Sequence, residues 1–359
     1  MKILFITDLY PVKDSEKTTP RTLYNFVQEW ENFGEDVYVL KPNFLINSFI
    51  RKKSYYKTGL YGSVFNANYL TPFWGNIKDR TGDFLDKSFD VVVAHMPSGI
   101  LYANKLGLPF VAGVHNSDIE VLTSPLYSFY FKSALLDALR NSKAIACRSY
   151  VLKTKLLKLY PEFSDKTFAA PSGIDGGVIQ NEIRGIDIKN LKIVTCANFK
   201  KRKNIDKLIL ALKDMDSVEL TVIGDGALKD KLKKLDGNVK FTGRLDNGKV
   251  LEHMRKNDIF ILPSVGETFG MVYLEAMASG CITVCTENDG IDGIIQNCVN
   301  GFTVQPDVQS IRNLIENIQS MNKDELASIR ANSLDTIKKY TSLECSRGYL
   351  EAIHKYIFQ

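Results

Sequence analysis

The sequence predicts an α/β protein built as two parallel-sheet domains joined by a polar linker. Three observations carry this. The chain has 359 residues, too many for one ordinary core, and 45% of them are hydrophobic, a normal globular share. Short apolar and β-branched runs alternate with helix-compatible segments through both halves. Between Gly176 and Asn190 the apolar periodicity lapses and then resumes at Lys192, which sets a boundary near residue 185.

In the first half the strands fall at Lys2 to Ile6, Asp36 to Leu40, Asp90 to Ala94, Pro109 to Val114, Ala144 to Cys147 and Thr167 to Ala170. The first helix has Thr19 as its N-cap, Pro20 at its first position and Gly34 past its end, with Leu23, Phe26, Val27 and Trp30 as the buried stripe. Ligands of such sheets bind beyond the carboxyl ends of the strands, which is where Asp8, His95 and His115 lie. His115 follows an apolar strand in VAGVHNSD, so it is either a ligand residue or a strand-end histidine satisfied locally; Asn116, Ser117 and Asp118 supply polar groups beside it.

From Val37 to Lys78 there is no acidic residue, and lysines and arginines alternate with aromatics such as Tyr55, Tyr56, Phe73 and Trp74. That composition suits an anionic membrane surface, where each cation contributes about 1 kcal/mol and rings anchor at the interface. It equally suits aromatics packed on the domain; stacking on single-stranded nucleic acid ranks behind both.

In the second half the strands fall at Lys192 to Cys196, Glu219 to Ile223, Val239 to Thr242, Ile259 to Leu262 and Ile282 to Cys285, a second Rossmann-like unit. Lys200, Lys201, Arg202 and Lys203 open an amphipathic helix after the first of these strands. Gly224 and Gly226 form half of a dinucleotide fingerprint; Lys229 stands where the third glycine belongs, so nicotinamide binding is not supported. The stretch Pro263 to Gly280, PSVGETFGMVYLEAMASG, runs from a strand end through a glycine loop into a helix whose first turn, Gly270 to Val272, would aim unpaired N–H groups at phosphate. Glu267 precedes that helix and Glu275 lies inside it, so two carboxylates flank a phosphate site and can accept hydroxyls from a sugar and a ribose.

Composition removes other classes. A net charge of +5 with mixed signs argues against a dedicated nucleic-acid binder. The six cysteines contain no CxxC pair and read as reduced core thiols, without zinc. Met1 leads into a strand with no cleavable apolar region, and no apolar run approaches the roughly 20 residues of a bilayer span, so a cytoplasmic protein is expected.

The Pro263 to Gly280 stretch resembles the E-x7-E segment of the family 4 glycosyltransferases, retaining enzymes of GT-B fold, and the likeness extends over nearly the whole chain. The resemblance implies two Rossmann-like domains facing a cleft: residues 1–184 for the acceptor, joined by a C-terminal helix 340–359 crossing back, and 185–339 for the nucleotide sugar. It places Glu267 on sugar hydroxyls, Glu275 on the ribose, Lys203 with the Gly270, Met271 and Val272 amides on the diphosphate, and His115 on the reacting sugar. Gly224 and Gly226 would line the nucleotide and Arg244 the base. Asp118 would position the acceptor, His95 matches a second strand-end histidine, and Lys17, Thr18 and Thr19 would shape an acceptor pocket.

Three departures stand out. The early loop KDSEKTT lacks the family's glycine pair; Asn198 replaces a phosphate-binding arginine, leaving Arg202 or Lys201 to substitute; and Gly293 replaces the glutamate of a Gly-Gly-x-x-Glu pattern. The implied activity is retaining hexosyl transfer from a UDP sugar, with GDP-mannose as the alternative, to a glycan or lipid-linked acceptor. No divalent metal or other cofactor is expected, because the only D-x-D, Asp214 to Asp216, is not at a strand end. A non-catalytic GT-B subunit and a nucleotide-sugar epimerase are the competing functions.

Overall fold

Apolar runs bounded by helices form strands buried on both faces, as parallel sheets covered by helices require. The computed structural model describes residues 1–11, 21–43, 57–58, 63–68, 88–125, 131–182 and 184–358. In chain order the first unit contains β1 (Lys2–Ile6), α1 (Thr22–Asn32), β2 (Asp36–Asn43), β3 (Lys57–Thr58), β4 (Ser63–Asn68), β5 (Val91–His95), α2 (Met96–Leu106), β6 (Phe110–Val114), α3 (Asn116–Thr123), α4 (Ser133–Asn141), β7 (Ala144–Cys147), α5 (Tyr150–Leu159) and β8 (Thr167–Ala169). The strands assemble in the order β3-β4-β2-β1-β5-β6-β7-β8. All pairs are parallel except β3 with β4.

The second unit contains β9 (Leu191–Cys196), α6 (Ile205–Leu212), β10 (Val218–Ile223), α7 (Lys229–Lys233), β11 (Lys240–Gly243), α8 (Asn247–Arg255), β12 (Ile259–Ile261), α9 (Met271–Ala278), β13 (Ile282–Thr286), β14 (Phe302–Val304), α10 (Val308–Ser320) and α11 (Lys323–Ile337). Its sheet is parallel throughout, in the order β11-β10-β9-β12-β13-β14. Thus the α/β architecture of two Rossmann-like units is borne out.

The contacts divide the chain at Ser172 and Gly173, earlier than the expected boundary near residue 185. Polar composition hides the reason. The Gly173–Asn190 segment is fastened to the second unit: Ile174 N–H donates to the Tyr340 carbonyl at 3.0 Å, Gln180 N–H to Ala278 at 2.9 Å, and the Arg184 guanidinium to the carbonyls of Arg255 and Lys256. Buried Arg330 in turn donates to the Arg184 carbonyl at 2.7 Å.

Three further differences concern elements. α1 begins at Thr22; Thr19 and Pro20 lie outside the described residues. Strands β3, β4 and β14 were not expected, because none of these runs is apolar and β-branched over four residues. Within the basic, aromatic stretch 41–78, residues 41–43, 57–58 and 63–68 are strand, and the remainder lies outside the described residues. The cysteines carry no disulfide; Cys298 alone among them is exposed. Among the described residues no helix is long and apolar enough to cross a membrane.

The last helix, α12 (Ser342–Phe358), belongs to the first unit, as expected, where it packs on α1. Fully buried Trp30 of α1 is the fastening: its indole N–H donates to the Ser346 carbonyl at 3.0 Å, and its ring meets Tyr349 and Phe5 edge-on at 5.3 and 5.8 Å. Trp30→Ala is expected to lower the unfolding free energy by about 3–5 kcal/mol, read from urea denaturation.

Candidate functional site

The carboxyl ends of β9, β12 and β13, neighbours in the second sheet, converge on Glu267. Its side chain is 12% exposed, and one oxygen, Oε1, accepts from Ser264 Oγ at 2.5 Å, from Arg202 at 2.9 Å and from the Lys203 ammonium. Burial alone would raise this carboxyl; Lys203, Ser264 and Arg202 outweigh it and hold the carboxyl below its usual value. The two loops are also joined by backbone. Val265 N–H donates to the Arg202 carbonyl at 2.8 Å, and Asn204 Nδ2 to the Pro263 carbonyl at 2.7 Å. Asn204 adopts φ +49°, the left-handed turn that separates the Lys201–Lys203 cation turn from α6.

Gly270 is the N-cap of α9, with φ +92°, instead of part of its first turn; helical geometry starts at Met271. A Cβ at Gly270 would sit 2.6 Å from the Tyr273 ring, and that ring is pinned by its hydroxyl donating to the Leu262 carbonyl at 2.7 Å. Glycine is therefore required for the helix to start against the strand end. One turn on, half-buried Glu275 accepts from Asn247 Nδ2 at 2.9 Å; burial raises its carboxyl, and Asn247 offsets this only partly. The two glutamates thus differ electrostatically: Glu267 is tied to cations, Glu275 to an amide.

Gly224 and Gly226 end β10 in backbone conformations of φ +133° and +154°. A Cβ at Gly224 would fall 1.9 Å from the Ala197 carbonyl, and one at Gly226 2.8 Å from Asn198 Oδ1. The Gly-x-Gly turn therefore lies directly on the Ala197–Phe199 loop, which brings Asn198 beside it. Arg244 is exposed just beyond Gly243, whose carbonyl accepts from Gly224 N–H at 2.9 Å.

In the first unit His95 and His115 meet: His95 Nδ1 and His115 Nε2 are 3.0 Å apart, and Tyr349 Oη lies 3.3 Å from His95 Nε2. Gly113, opposite His95 on β6, makes room, since a Cβ there would be 2.1 Å from His95 Nδ1. His95 is fully buried and half-buried His115 precedes α3. Burial, the His115 ring and then buried Arg148 push His95 far down; burial and Arg148 push His115 down to about 3, so both rings are neutral at pH 7. Asp118 reaches back from α3 to accept the His115 backbone N–H at 2.8 Å. Burial raises its carboxyl to about 8 against the lowering from backbone bonds, and among the described residues its Oδ1 has no hydrogen-bond partner. Asp8, just beyond β1, is also raised by burial, and among the described residues its Oδ1 has no hydrogen-bond partner. Lys17 and Thr18 lie outside the described residues.

Against this geometry stand the comparisons. Residues 179–341 match the family of glycosyl transferases group 1. This group 1 segment covers most of the second unit. TuaC of Bacillus subtilis, described as a putative teichuronic acid biosynthesis glycosyltransferase, is 27% identical over 332 residues, 82% of this chain and 83% of its own length. The alpha-monoglucosyldiacylglycerol synthase of Acholeplasma laidlawii is 25% identical over 72% of this chain and 73% of its own. Among solved structures, HepE of Anabaena in complex with UDP superposes with a TM-score of 0.74 over 99% of this chain and all of that one, at 17% identity. The group 1 segment and its partner unit therefore share the GT-B fold.

Several contacts escaped the sequence. Ser264, Asn247 and Asp289 of the group 1 segment bond its site residues from 3 to 28 positions away, Tyr349 reaches His95, and the charge of Arg148 disfavours protonation of both histidines. Two glutamates on either side of a helix start are visible in a sequence; a partner supplied by another loop is not.

The neutral histidines make stability depend on pH. For His115 the folded value, about 3, is below the ordinary 6.5, so the native state binds fewer protons; its contribution is present above about pH 6.5 and lost as pH falls towards 3. Asp118, raised to about 8, acts oppositely, its contribution being lost as pH rises through that value. His115→Gln should therefore show a shallower loss of urea midpoint between neutral pH and about pH 4.5 than the parent.

Proposed function

We propose that the protein is a retaining glycosyltransferase that takes a sugar from a UDP sugar, the group 1 segment holding the donor and the first unit the acceptor. The observation that supports it most is the convergence of Arg202 and Lys203 on Glu267 ahead of the Gly270-capped helix. Two cations around one carboxylate leave positive charge for a diphosphate, and α9 adds unpaired N–H groups.

In this reading Lys203, Arg202 and the Met271 and Val272 amides stabilise the departing diphosphate, Glu267 holds sugar hydroxyls and Glu275 the ribose. His115 donates or accepts a neutral hydrogen bond at the sugar. The acceptor hydroxyl attacks the anomeric carbon as the bond to the diphosphate breaks, and a leaving phosphate oxygen takes the hydroxyl proton. Catalysis is then positioning and charge stabilisation, without a divalent metal. TuaC and the Acholeplasma synthase favour a cell-surface glycan or a lipid-linked acceptor.

Binding and hydrolysis of a donor panel, UDP sugars against GDP-mannose, test the reading. If the protein binds no nucleoside diphosphate and hydrolyses no donor, a non-catalytic subunit replaces it; donor interconversion without acceptor would mark an epimerase. Glu267→Ala should cut turnover about 100-fold with UDP affinity within about threefold, whereas Glu275→Ala should weaken UDP about tenfold. Equal losses of both in each variant contradict the division. For a lipid-linked acceptor we propose contact of residues 41–78 with an anionic membrane. Pelleting should rise with the phosphatidylglycerol content of liposomes and fall with salt; indifference to anionic lipid removes the membrane.

A further inference from the structure

The loop after β13 is built against Glu267. Asp289 is 8% exposed, and both of its carboxylate oxygens are committed: Oδ1 accepts the Glu267 N–H at 2.8 Å and Oδ2 the Gly266 N–H. The turn that presents it is unusual. Asn288 and Gly290, on either side, have φ +57° and +51°, and Asn288 N–H donates to Asp292 Oδ2 at 2.6 Å, closing the loop. A Cβ at Gly290 would lie 2.9 Å from Glu267 Cβ and 3.0 Å from the Phe269 carbonyl, so the loop approaches as closely as glycine allows. In the Gly-Gly-x-x-Glu pattern aligned on Gly293 the first glycine falls at Asp289, and no glycine could make this clasp.

We propose that Asp289 is a positioning residue: it clamps the Gly266–Glu267 backbone so that the Glu267 carboxylate stands where Lys203 and, on donor binding, the sugar hydroxyls require it. The inference rests on the reading of Glu267 as the sugar-holding carboxylate. Charge-assisted bonds to two successive amides fix both the place and the direction of the Cα–Cβ bond. A displacement of about 1 Å at such a residue costs about 100-fold in rate. The clamp touches neither Glu275 nor Asn247, so its loss should separate turnover from nucleotide affinity.

Two variants test this, Asp289→Asn, which keeps the shape but sets a donor against an N–H, and Asp289→Ala. In the ligand-free protein, NMR should show the Gly266 and Glu267 amides losing exchange protection and the Glu267 carboxyl titrating upward towards the ordinary glutamate value as its hold on Lys203 loosens. With a donor that the parent hydrolyses, turnover should fall between about tenfold and 100-fold with UDP affinity within about threefold. Unchanged amide protection and Glu267 titration in both variants overturn the proposal, as does unchanged turnover or a parallel fall of turnover and affinity. A parent without donor turnover would sink the glycosyltransfer reading while the NMR titration still decides the clamp.

Discussion

The second unit depends on one constraint, that a largely buried carboxylate must be paired. Glu267 Oε1 satisfies it with a hydroxyl, a guanidinium and an ammonium delivered from two loops. Removing an isolated charge from water costs several kcal/mol, so each donor must be in place for the ionised form to persist. The arrangement explains local features that otherwise look unrelated. Asn204 takes a left-handed turn so that the cation turn ends beside the β12 loop; Val265 zips to Arg202 through backbone; Pro263 ends the strand while its carbonyl receives Asn204. These devices bring cations and carboxylate together before any anion arrives.

The first unit solves the opposite problem. Its strand-end histidines are deprived of charge: burial and the nearby Arg148 guanidinium keep His95 and His115 neutral, and two neutral rings can share a single hydrogen bond at 3.0 Å without repulsion. Arg148 is itself buried yet satisfied, donating to the Ala170 carbonyl at 2.5 Å and to Ser172, with its guanidinium 4.7 Å from the Phe26 ring centroid. Tyr349 of α12 connects the packing of α12 on α1 to His95, and His95 in turn meets His115.

Legibility followed the physical origin of each feature. Continuous apolar strands such as Val91–His95 and Ile259–Ile261 were readable because burial on both faces writes itself into composition, whereas β14, three residues at a sheet edge, carries no such imprint. Glu267 and Glu275 drew attention through their spacing about a glycine loop, and Lys203 through its place after a strand end and the family resemblance; the structure brings Lys203 onto Glu267. Asp289 was not readable, since it bonds backbone N–H groups that every residue possesses, and an Asn-Asp-Gly run reads as an ordinary turn. Asn247, the first residue of α8, was not singled out either; its bond to Glu275 comes from the packing of α8 on α9. The boundary at Ser172 was obscured because the Gly173–Asn190 segment is fastened by isolated apolar residues without helix or strand period, among them Ile174, Val178, Ile179, Ile186 and Ile188, and by carbonyl contacts.

The protonation states narrow the chemistry that this set of groups can perform. A residue that takes a proton at neutral pH must be deprotonated and near its titration there. Glu267 is held below the usual range by its cations and is too weak a base, while His115, at about 3, is weaker than a free imidazole. Asp118, raised by burial to about 8, carries its proton at pH 7 and so does not serve as a base there; among the described residues its Oδ1 has no partner. In the proposed transfer the departing phosphate, and not Glu267, His115 or Asp118, takes the acceptor's proton, and these states agree with that proposal. That assignment gives the positive turn at Lys201–Lys203 a second duty: besides lowering the charge that develops on the diphosphate, it must leave one phosphate oxygen basic enough to receive the proton. Glu267, by sharing Arg202 and Lys203, tempers their charge and keeps that balance within reach.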